Sequence, residues 1–280
     1  MTLETDVARH YTTDGLIDRI DAALRAMGAD PDRPSFDDLK PVDEFHTGGI
    51  EATTHLLDQL DITPDTLVAD LGSGLGGTAR HIVHRYGATV QGVDLTPAFV
   101  AAARDLNGRL GLGDRITLAE GSLLDLPWPD ASADLAVMFH VGMNIADKPA
   151  LFAQVARVLR PGGRFALFDV MRDEAEDDLA LPVPWSETAE TSHVEAPSIY
   201  RRAAHAAGLE QMAETDRRAF AMDFYDRVSR KIAAEGPPTL GIHILMGDTA
   251  PDKIANYLAN IEARRITPVE MIFRKPGGDT

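Results

Sequence analysis

The residues best suited to chemistry stand together in the run Val68-Ala69-Asp70-Leu71-Gly72-Ser73-Gly74-Leu75-Gly76-Gly77. An apolar stretch leads into it and a helical pattern leads out. Glycines at such a junction turn the chain tightly and leave bare backbone for a ligand to lie against. The helix start beyond presents unpaired N–H groups. Gly72, Gly74 and Gly77 match the G-x-G-x-x-G spacing of dinucleotide-binding turns. Asp70 argues against a dinucleotide, because a carboxylate at the end of the strand repels a pyrophosphate and attracts an ammonium group. Asp94 ends the next strand, where a carboxylate accepts hydrogen bonds from ribose hydroxyls; the alternative is a loop acid or helix cap. Together these positions ask for a ligand with an ammonium and a ribose but no phosphate.

A second set of residues could handle a reacting partner. His140 lies in Phe139-His140-Val141-Gly142-Met143-Asn144, after the fourth strand. An imidazole titrates near neutrality, so it can act as a general base or orient the ligand through a hydrogen bond. Pro182-Val183-Pro184-Trp185 and Ser192-His193 lie in the loop after the fifth strand, and such loops line the crevice of a parallel sheet. Trp185 either walls a pocket, where its ring can hold a cationic amine or sulfonium, or anchors a long loop. His243, flanked by apolar residues, is expected in the core and outside the site. The chain has no cysteine, hence no thiolate nucleophile, disulfide or cysteine-based zinc site. No H-E-x-x-H or paired-ligand spacing occurs, so no metal is expected.

The elements that hold these residues can be read from periodicity. Residues 3–60 are helical in pattern: Leu16, Ile17, Ile20, Ala23, Leu24 and Met27 recur at helix spacing until Gly28 and Pro31 stop them. Ser35 can cap a second helix, and another runs from about Ile50 to Leu60. From Leu67 to Val170 short apolar strands (67–71, 89–93, 116–119, 135–139, 164–169) alternate with helices (77–86, 97–110, 148–159). That alternation predicts parallel βαβ units, with Pro161-Gly162-Gly163 as a turn before the fifth strand. After the loop 171–197 come helix 198–207, strand 209–215, helices 218–234 and 251–264, and strand 267–274.

Composition limits the partners. With 44 acidic and 27 basic residues the net charge is −17, which repels a phosphate polymer. Arg217-Arg218 and Arg264-Arg265 are too short for a nucleic-acid arm. No apolar run reaches the roughly 18 residues of a membrane span. The first ten residues carry Glu4 and Asp6 and lack a secretory pattern, so a cytoplasmic protein without nucleic-acid or membrane partners is expected, as a monomer or homodimer.

In order, Asp-Leu-Gly-Ser-Gly-Leu-Gly-Gly (70–77), Gly-Val-Asp-Leu-Thr (92–96), Leu-Leu-Asp-Leu-Pro-Trp (123–128) and Arg-Val-Leu-Arg-Pro-Gly-Gly (157–163) resemble the motifs of class I S-adenosylmethionine (SAM)-dependent methyltransferases. The likeness covers about residues 42–215 and is to the small-molecule branch, which includes sarcosine/dimethylglycine and coclaurine-type N-methyltransferases. It implies an α/β, Rossmann-like, seven-stranded, mostly parallel sheet with helices on both faces. Residues 1–60 would form an N-terminal helical lid, 61–217 the SAM-binding core, 218–265 a helical insertion over the acceptor pocket, and 266–280 the last strand and tail, in one structural domain. It implies SAM as cofactor and S-adenosylhomocysteine as product.

By matching position, Asp70, Gly72, Gly74 and Gly76 would surround the methionine part. Asp94 would hold the ribose diol, Leu95 would pack on adenine, and Ser122 and Leu123 would meet the adenine edge and face. Many relatives carry Asp where this chain has Ser122. Tyr11, in the lid helix, would close over the methionine end or simply pack, and His140 would sit beside the reacting methyl. His46, in Asp43-Glu44-Phe45-His46-Thr47-Gly48-Gly49, matches a His-x-Gly stretch that reaches SAM or acceptor, unless it is a structural histidine. Asn144 matches a position where some relatives carry His. His140 and His46 are the catalytic candidates; His46, Asn144, Trp185 and His193 are the acceptor-binding ones. The implied reaction is methyl transfer to a small-molecule acceptor, an amine nitrogen before a thiol, hydroxyl or carbon. An NAD-dependent oxidoreductase and a non-catalytic SAM-binding protein are the remaining alternatives.

Overall fold

The computed structural model describes residues 3–11 and 15–277; the residues expected in the remainder of the lid and in the tail (1–2, 12–14 and 278–280) lie outside them. The N-terminal block comprises α1 (Leu3–Tyr11), α2 (Leu16–Ala26), α3 (Phe36–Asp43) and α4 (Gly49–Leu57). The alternating block comprises β1 (Leu67–Leu71), α5 (Gly77–Tyr86), β2 (Thr89–Asp94), α6 (Pro97–Arg109), β3 (Ile116–Glu120), β4 (Ala133–Phe139), α7 (Lys148–Val158) and β5 (Leu159–Arg172). The last block is α8 (Pro197–Ala206), β6 (Glu210–Asp216), α9 (Arg218–Glu235), α10 (His243–Met246), α11 (Ala250–Glu262) and β7 (Ile266–Arg274).

Local chemistry accounts for the boundaries. Ser35 and Asp38 cap α3 reciprocally, each side chain accepting from the other's backbone N–H. Asp147 caps α7 by accepting from the Ala150 N–H. β4 is apolar along nearly its whole length because both of its faces are covered. β6, at the sheet edge, is charged and mostly exposed.

The strands form one seven-stranded sheet in the order β3-β2-β1-β4-β5-β7-β6. β1, β2, β3, β4 and β5 run parallel, and β7 pairs antiparallel with both β5 and β6. Helices α7 and α8 cover one face, where Phe152, Val155 and Tyr200 are buried. Helices α4, α5 and α6 cover the other with Leu56, Ile82 and Val100. α2 and α3 pack with Leu240 and Leu245 against Phe99 and Leu106 of α6. α9, α11 and the loop after β5 share a further cluster around Trp185, Tyr225 and Tyr257.

Two expectations need correction. The Pro161-Gly162-Gly163 segment is not a turn ahead of β5 but lies within it. Leu159 already pairs with Ala133, the register shifts before Arg164 meets Leu135, and Gly162 takes a φ of +83°; these residues form a bulge. His243 is exposed on α10 rather than in the core, where its apolar neighbour Leu245 points inward instead.

The strand order reverses at β1, which has β2 on one side and β4 on the other. Crevices open at the carboxyl ends of strands at such a switch point. Asp70, Asp94 and His140 all stand there.

Candidate active site

The carboxyl ends of β1, β2 and β4 open on a cavity of about 430 Å³. It is roofed by α1 and by side chains from residues 225–257, and the loop 43–47 and Trp185 complete its walls.

Asp70 is only 2% exposed, and its Oδ2 has no hydrogen-bond partner among the described residues. Burial, together with the charges of Glu44 and Asp94, pushes its carboxyl up to about 7. Ser73 Oγ, beside it, is also buried without a partner. Gly74 has a φ of +51°, and a Cβ built there would meet no atom within 4 Å. An orphaned carboxylate thus faces the cavity beside open backbone, which suits a ligand bearing an ammonium group. Asp94 lines the same wall, but its oxygens already accept from the N–H groups of Gly74 and Thr96, each at 2.8 Å. It therefore fixes the glycine loop as well as facing the ligand. Burial raises its pKa above the ordinary carboxylate range against those two N–H groups.

The other glycines serve the protein rather than the cavity. A Cβ on Gly72 would lie 2.4 Å from Val141 Cγ2, so this residue lets β4's following loop approach β1 although it borders the cavity. Gly76 does not line the cavity, contrary to expectation. It caps α5 with a φ of +80° over Arg80. Gly77 lies so close to the Asp43 carbonyl that a Cβ would sit 2.1 Å from it, and Arg80 below is bound to Asp43 and Asn107. These contacts lock the loop leading to His46 onto the glycine run.

Leu95, Ser122 and Leu123 line the far end of the cavity. Ser122 Oγ accepts from the Leu124 N–H at 3.0 Å and donates to the carboxylate of Glu4. Glu4, on α1, was not singled out by sequence reasoning. It brings a carboxylate to the position where many relatives carry one on the strand-end residue itself.

His46 and His140 face each other, with ring centroids 5.8 Å apart. His46 stacks on Phe139 at 5.0 Å. Its Nε2 meets Glu44 Oε2 at 2.7 Å, and its Nδ1 meets the Thr47 carbonyl at 3.1 Å. The Thr53 hydroxyl also lies 3.0 Å from Nε2, so both ring nitrogens have partners. Burial alone would raise the Glu44 carboxyl, but the hydrogen bond and charge of His46, with Thr53, hold it low. His46 therefore has both ring nitrogens engaged within its own loop, and it holds that loop on the cavity wall. His140 differs: its Nε2 is buried without a partner. Burial first, and the nearby His46 second, hold its pKa well below 6.5. Its φ of +51° is rare for a residue with a side chain, and such strain is typical of functional positions.

The remaining candidates separate. Asn144 lines the cavity, yet its polar atoms are engaged: Oδ1 accepts from the Tyr11 hydroxyl at 2.9 Å, and Nδ2 donates to the carbonyls of Trp185 (3.0 Å) and Thr191 (3.3 Å). It ties α1 to the loop after β5. Trp185 borders the cavity and also donates to Ser192 Oγ at 3.0 Å, so it both walls and anchors. His193 is not on the cavity. Its N–H donates to the Met143 carbonyl, and its own carbonyl accepts from Lys148 Nζ, so it braces the turn below His140. Sequence reasoning missed Thr47, Tyr225 and Tyr257, which line the acceptor side. Thr47 Oγ1 and Tyr257 OH lie 2.6 Å apart. Tyr225 and Tyr257 are on helices whose amphipathic pattern identifies a buried face but not what it faces.

A model of the methyltransferase domain matches residues 69–167. A dimethylglycine N-methyltransferase of Parasynechococcus marenigrum is 30% identical over 188 residues, covering 66% of this chain and 67% of the relative. The chain belongs to the class I SAM-dependent methyltransferases. A sarcosine/dimethylglycine N-methyltransferase of Halorhodospira halochloris is 28% identical over 200 residues, 70% of this chain and 69% of the relative. Among solved structures, geranyl diphosphate C-methyltransferase of Streptomyces coelicolor superposes with a TM-score of 0.72 over 98% of each chain at 16% identity, which speaks for the fold alone. SAM fits this methyltransferase's cavity on two counts: the unpartnered Asp70 carboxylate awaits an ammonium group, and the space over Gly74 admits a ligand against the backbone. Among the described residues no helix is long and apolar enough to cross a membrane.

Proposed function

We propose that the enzyme transfers the methyl group of SAM to the nitrogen of a small amine. The observation that carries this reading is the neutral, unpartnered imidazole of His140 on the wall of the same cavity as the unpartnered carboxylate of Asp70. An amine reaches the pocket mostly protonated and must lose that proton before it can attack, and His140 Nε2 is a vacant acceptor for it. When bound, SAM supplies a methyl group activated by its sulfonium. The chain's own residues do the rest. Asp70 holds the ammonium of the donor, and Asp94 fixes the glycine loop while facing the ribose side. Leu95, Leu123 and Ser122, with Glu4 behind it, enclose the other end. Burial keeps His140 in its neutral form, and His46, held by Glu44 and Thr47, packs beside it. The roof from α1 and residues 225–257, in the N-terminal block and the helical insertion, acts as a lid that excludes water, a main requirement of an in-line displacement.

The N-methyltransferase names of the relatives above support an amine over a thiol, hydroxyl or carbon, and the net charge supports a small-molecule partner over nucleic acid. We assign the reaction to the cytoplasm, with the protein acting as a monomer or homodimer. Calorimetry with SAM and with NAD, followed by S-adenosylhomocysteine release against panels of amines, thiols and phenols, tests the reading. The expected result is binding of SAM alone and turnover confined to amines. Turnover confined to thiols or phenols would overturn the choice of atom, and binding of NAD would overturn the choice of cofactor.

A further inference from the structure

The acceptor side of the cavity differs chemically from the donor side. Among the described residues no lysine or arginine lines the cavity, whereas Glu4, Asp43, Asp70, Asp94 and Asp147 do. The cations adjoining it in the chain are already committed. Arg80 is fully buried against Asp43 and Asn107. Lys148 donates to the carbonyls of Ile145 and His193, and Lys253 pairs with Glu187 at 2.7 Å.

Other anion holders are spent in the same way. The N-terminus of α7 is capped by the Asp147 carboxylate, the Gly74 N–H donates to Asp94, and both nitrogens of His46 are engaged by Glu44 and Thr47. The walls that remain are aromatic and aliphatic: Phe45, Trp185, Tyr225, Ile254 and Tyr257. Trp185 meets Tyr257 edge-on at 6.0 Å, and Tyr225 lies 5.7 Å from Tyr257. The Thr47 hydroxyl meets the hydroxyls of both Tyr257 and Tyr225, so the polar groups on this wall are neutral hydroxyls, none of them a cation for an anion to pair with.

We infer that the methyl acceptor carries no carboxylate, phosphate or sulfate, and is an apolar or aromatic amine whose nitrogen is its main polar group. This rests on the amine reading above and narrows it. The distinction from amino-acid acceptors is electrostatic. An α-amino acid brings a carboxylate into a cavity lined by acidic side chains with no lysine or arginine to pair with it, a cost that the transfer of its ammonium proton to His140 only partly offsets. The amino-acid end of SAM keeps its ammonium and remains a zwitterion. An amine without an anionic group has no such penalty, and after transfer its ammonium product can rest against the aromatic rings.

Matched pairs that differ only in the anionic group test this on the full-length enzyme with SAM. Phenethylamine and phenylalanine form the first pair; 2-phenylethanethiol and 2-mercapto-3-phenylpropanoic acid form the second. Sarcosine and phosphoethanolamine are added as small anionic amines. The expected kcat/KM, read as S-adenosylhomocysteine release, favours the member without the anionic group by on the order of 100-fold or more, with sarcosine and phosphoethanolamine at the blank rate. Equal or better turnover of phenylalanine, sarcosine or phosphoethanolamine would overturn the inference. Turnover in the thiol pair alone would end the amine reading, and with it the amine assigned to the acceptor here, while the ratio within that pair still reports on the anionic group.

If no member turns over, calorimetry on the enzyme saturated with S-adenosylhomocysteine decides: phenethylamine should bind and phenylalanine should not, and failure of phenethylamine to bind overturns the inference. Ile254→Lys, checked for folding by thermal melting, should supply the missing counter-ion and reduce the preference within each pair at least ~10-fold. An unchanged preference in a folded Ile254→Lys enzyme would also count against it.

Discussion

The donor half of the cavity draws Asp70, Gly74 and Asp94 from one βαβ unit, whereas the acceptor half draws Phe45, His46, His140, Trp185, Tyr225 and Tyr257 from separate parts of the chain. The donor half leaves buried polar atoms without partners, Asp70 Oδ2 and Ser73 Oγ among them. In the acceptor half most polar atoms are already paired with one another, and His140 Nε2 stands out as the vacant one. Buried groups left unsatisfied cost stability unless a ligand completes them. The donor half is therefore shaped by a ligand of fixed chemistry, and the acceptor half mainly by packing. Substitutions should divide along the same line, with donor-half changes acting on SAM affinity and acceptor-half changes on turnover or acceptor affinity.

The largest effect is expected at His140. His140→Ala should lower kcat by on the order of 10²–10⁴ and leave SAM affinity within about twofold. A parallel loss of SAM affinity, measured by calorimetry, would move His140 to the donor half and break the comparison. Because burial and His46 hold its pKa well below 6.5, His140 stays unprotonated through neutral pH. A fall in kcat/KM below neutrality would then report protonation of other groups before that of His140.

Asp70→Asn comes next, with SAM affinity falling on the order of 100-fold. The same residue gives opposite pH trends for binding and for stability. Its folded pKa of about 7 lies above the ordinary 3.8, so its contribution to stability is full below the lower value and is lost as pH rises through the upper one. Thermal melts of the free protein from pH 5 to 8 should show this loss in the wild type and not in Asp70→Asn. SAM affinity should rise over the same interval as the carboxylate ionises. A SAM affinity independent of pH in the wild type would remove Asp70 from the ammonium site.

The two halves also differ in how far they could be read from the sequence. The alternation of strands and helices from 67 to 170 announced the sheet, because a period of two or of 3.6 follows directly from which face is buried. The donor residues were legible for a related reason: backbone turns demand glycine at set spacings, and Asp70 and Asp94 close strands. The same spacing overreached at Gly76 and partly at Gly72, whose lack of a Cβ serves Arg80 and Val141 rather than a ligand. The acceptor half has no such grammar. Tyr225 and Tyr257 sit on amphipathic helices whose apolar faces needed only a partner, and no local pattern names a cavity as that partner. His46 and Asn144 were visible as chemistry-bearing residues; the hydrogen bonds of Asn144 to Tyr11 and Trp185 depend on tertiary contacts, whereas those of His46 to Glu44 and Thr47 are local but follow no motif that announces them. Glu4 reaches Ser122 across 118 positions, a pairing no short-range rule can anticipate.

A smaller effect separates the glycines. Gly74→Ala should weaken SAM binding by about tenfold while costing the fold roughly 1–2 kcal/mol for a side chain at positive φ, since its Cβ meets no protein atom within 4 Å. Gly72→Ala should do the reverse, losing about 1–3 kcal/mol of stability through its collision with Val141. Paired melts and SAM titrations should show the two variants crossing over. Equal SAM affinity in Gly74→Ala and wild type would mean that the open space over Gly74 is not ligand space.

The smallest expected effect is at Tyr11, where the two halves meet. Its ring packs near Phe45 and Phe99 at 6.2 and 5.9 Å, while its hydroxyl donates to Asn144 rather than pointing free into the donor side. Tyr11→Phe keeps the ring contacts and removes only that hydrogen bond, at a cost of about 1 kcal/mol. Asn144 remains held by the carbonyls of Trp185 and Thr191, so the loop should loosen without detaching. Trp185 is the acceptor wall on that loop, so the acceptor KM should rise several-fold while SAM affinity stays within about twofold. If the hydroxyl instead completes the methionine end of SAM, the pattern inverts: SAM affinity falls and the acceptor KM stays put. Asn144→Ala provides the cross-check, because it removes the same bond from its other end. Combined with Tyr11→Phe it should add little to the loss caused by Asn144→Ala alone, as expected for two members of one contact. Fully additive effects on the acceptor KM would show that Tyr11 and Asn144 act separately, and would return Tyr11 to the donor half.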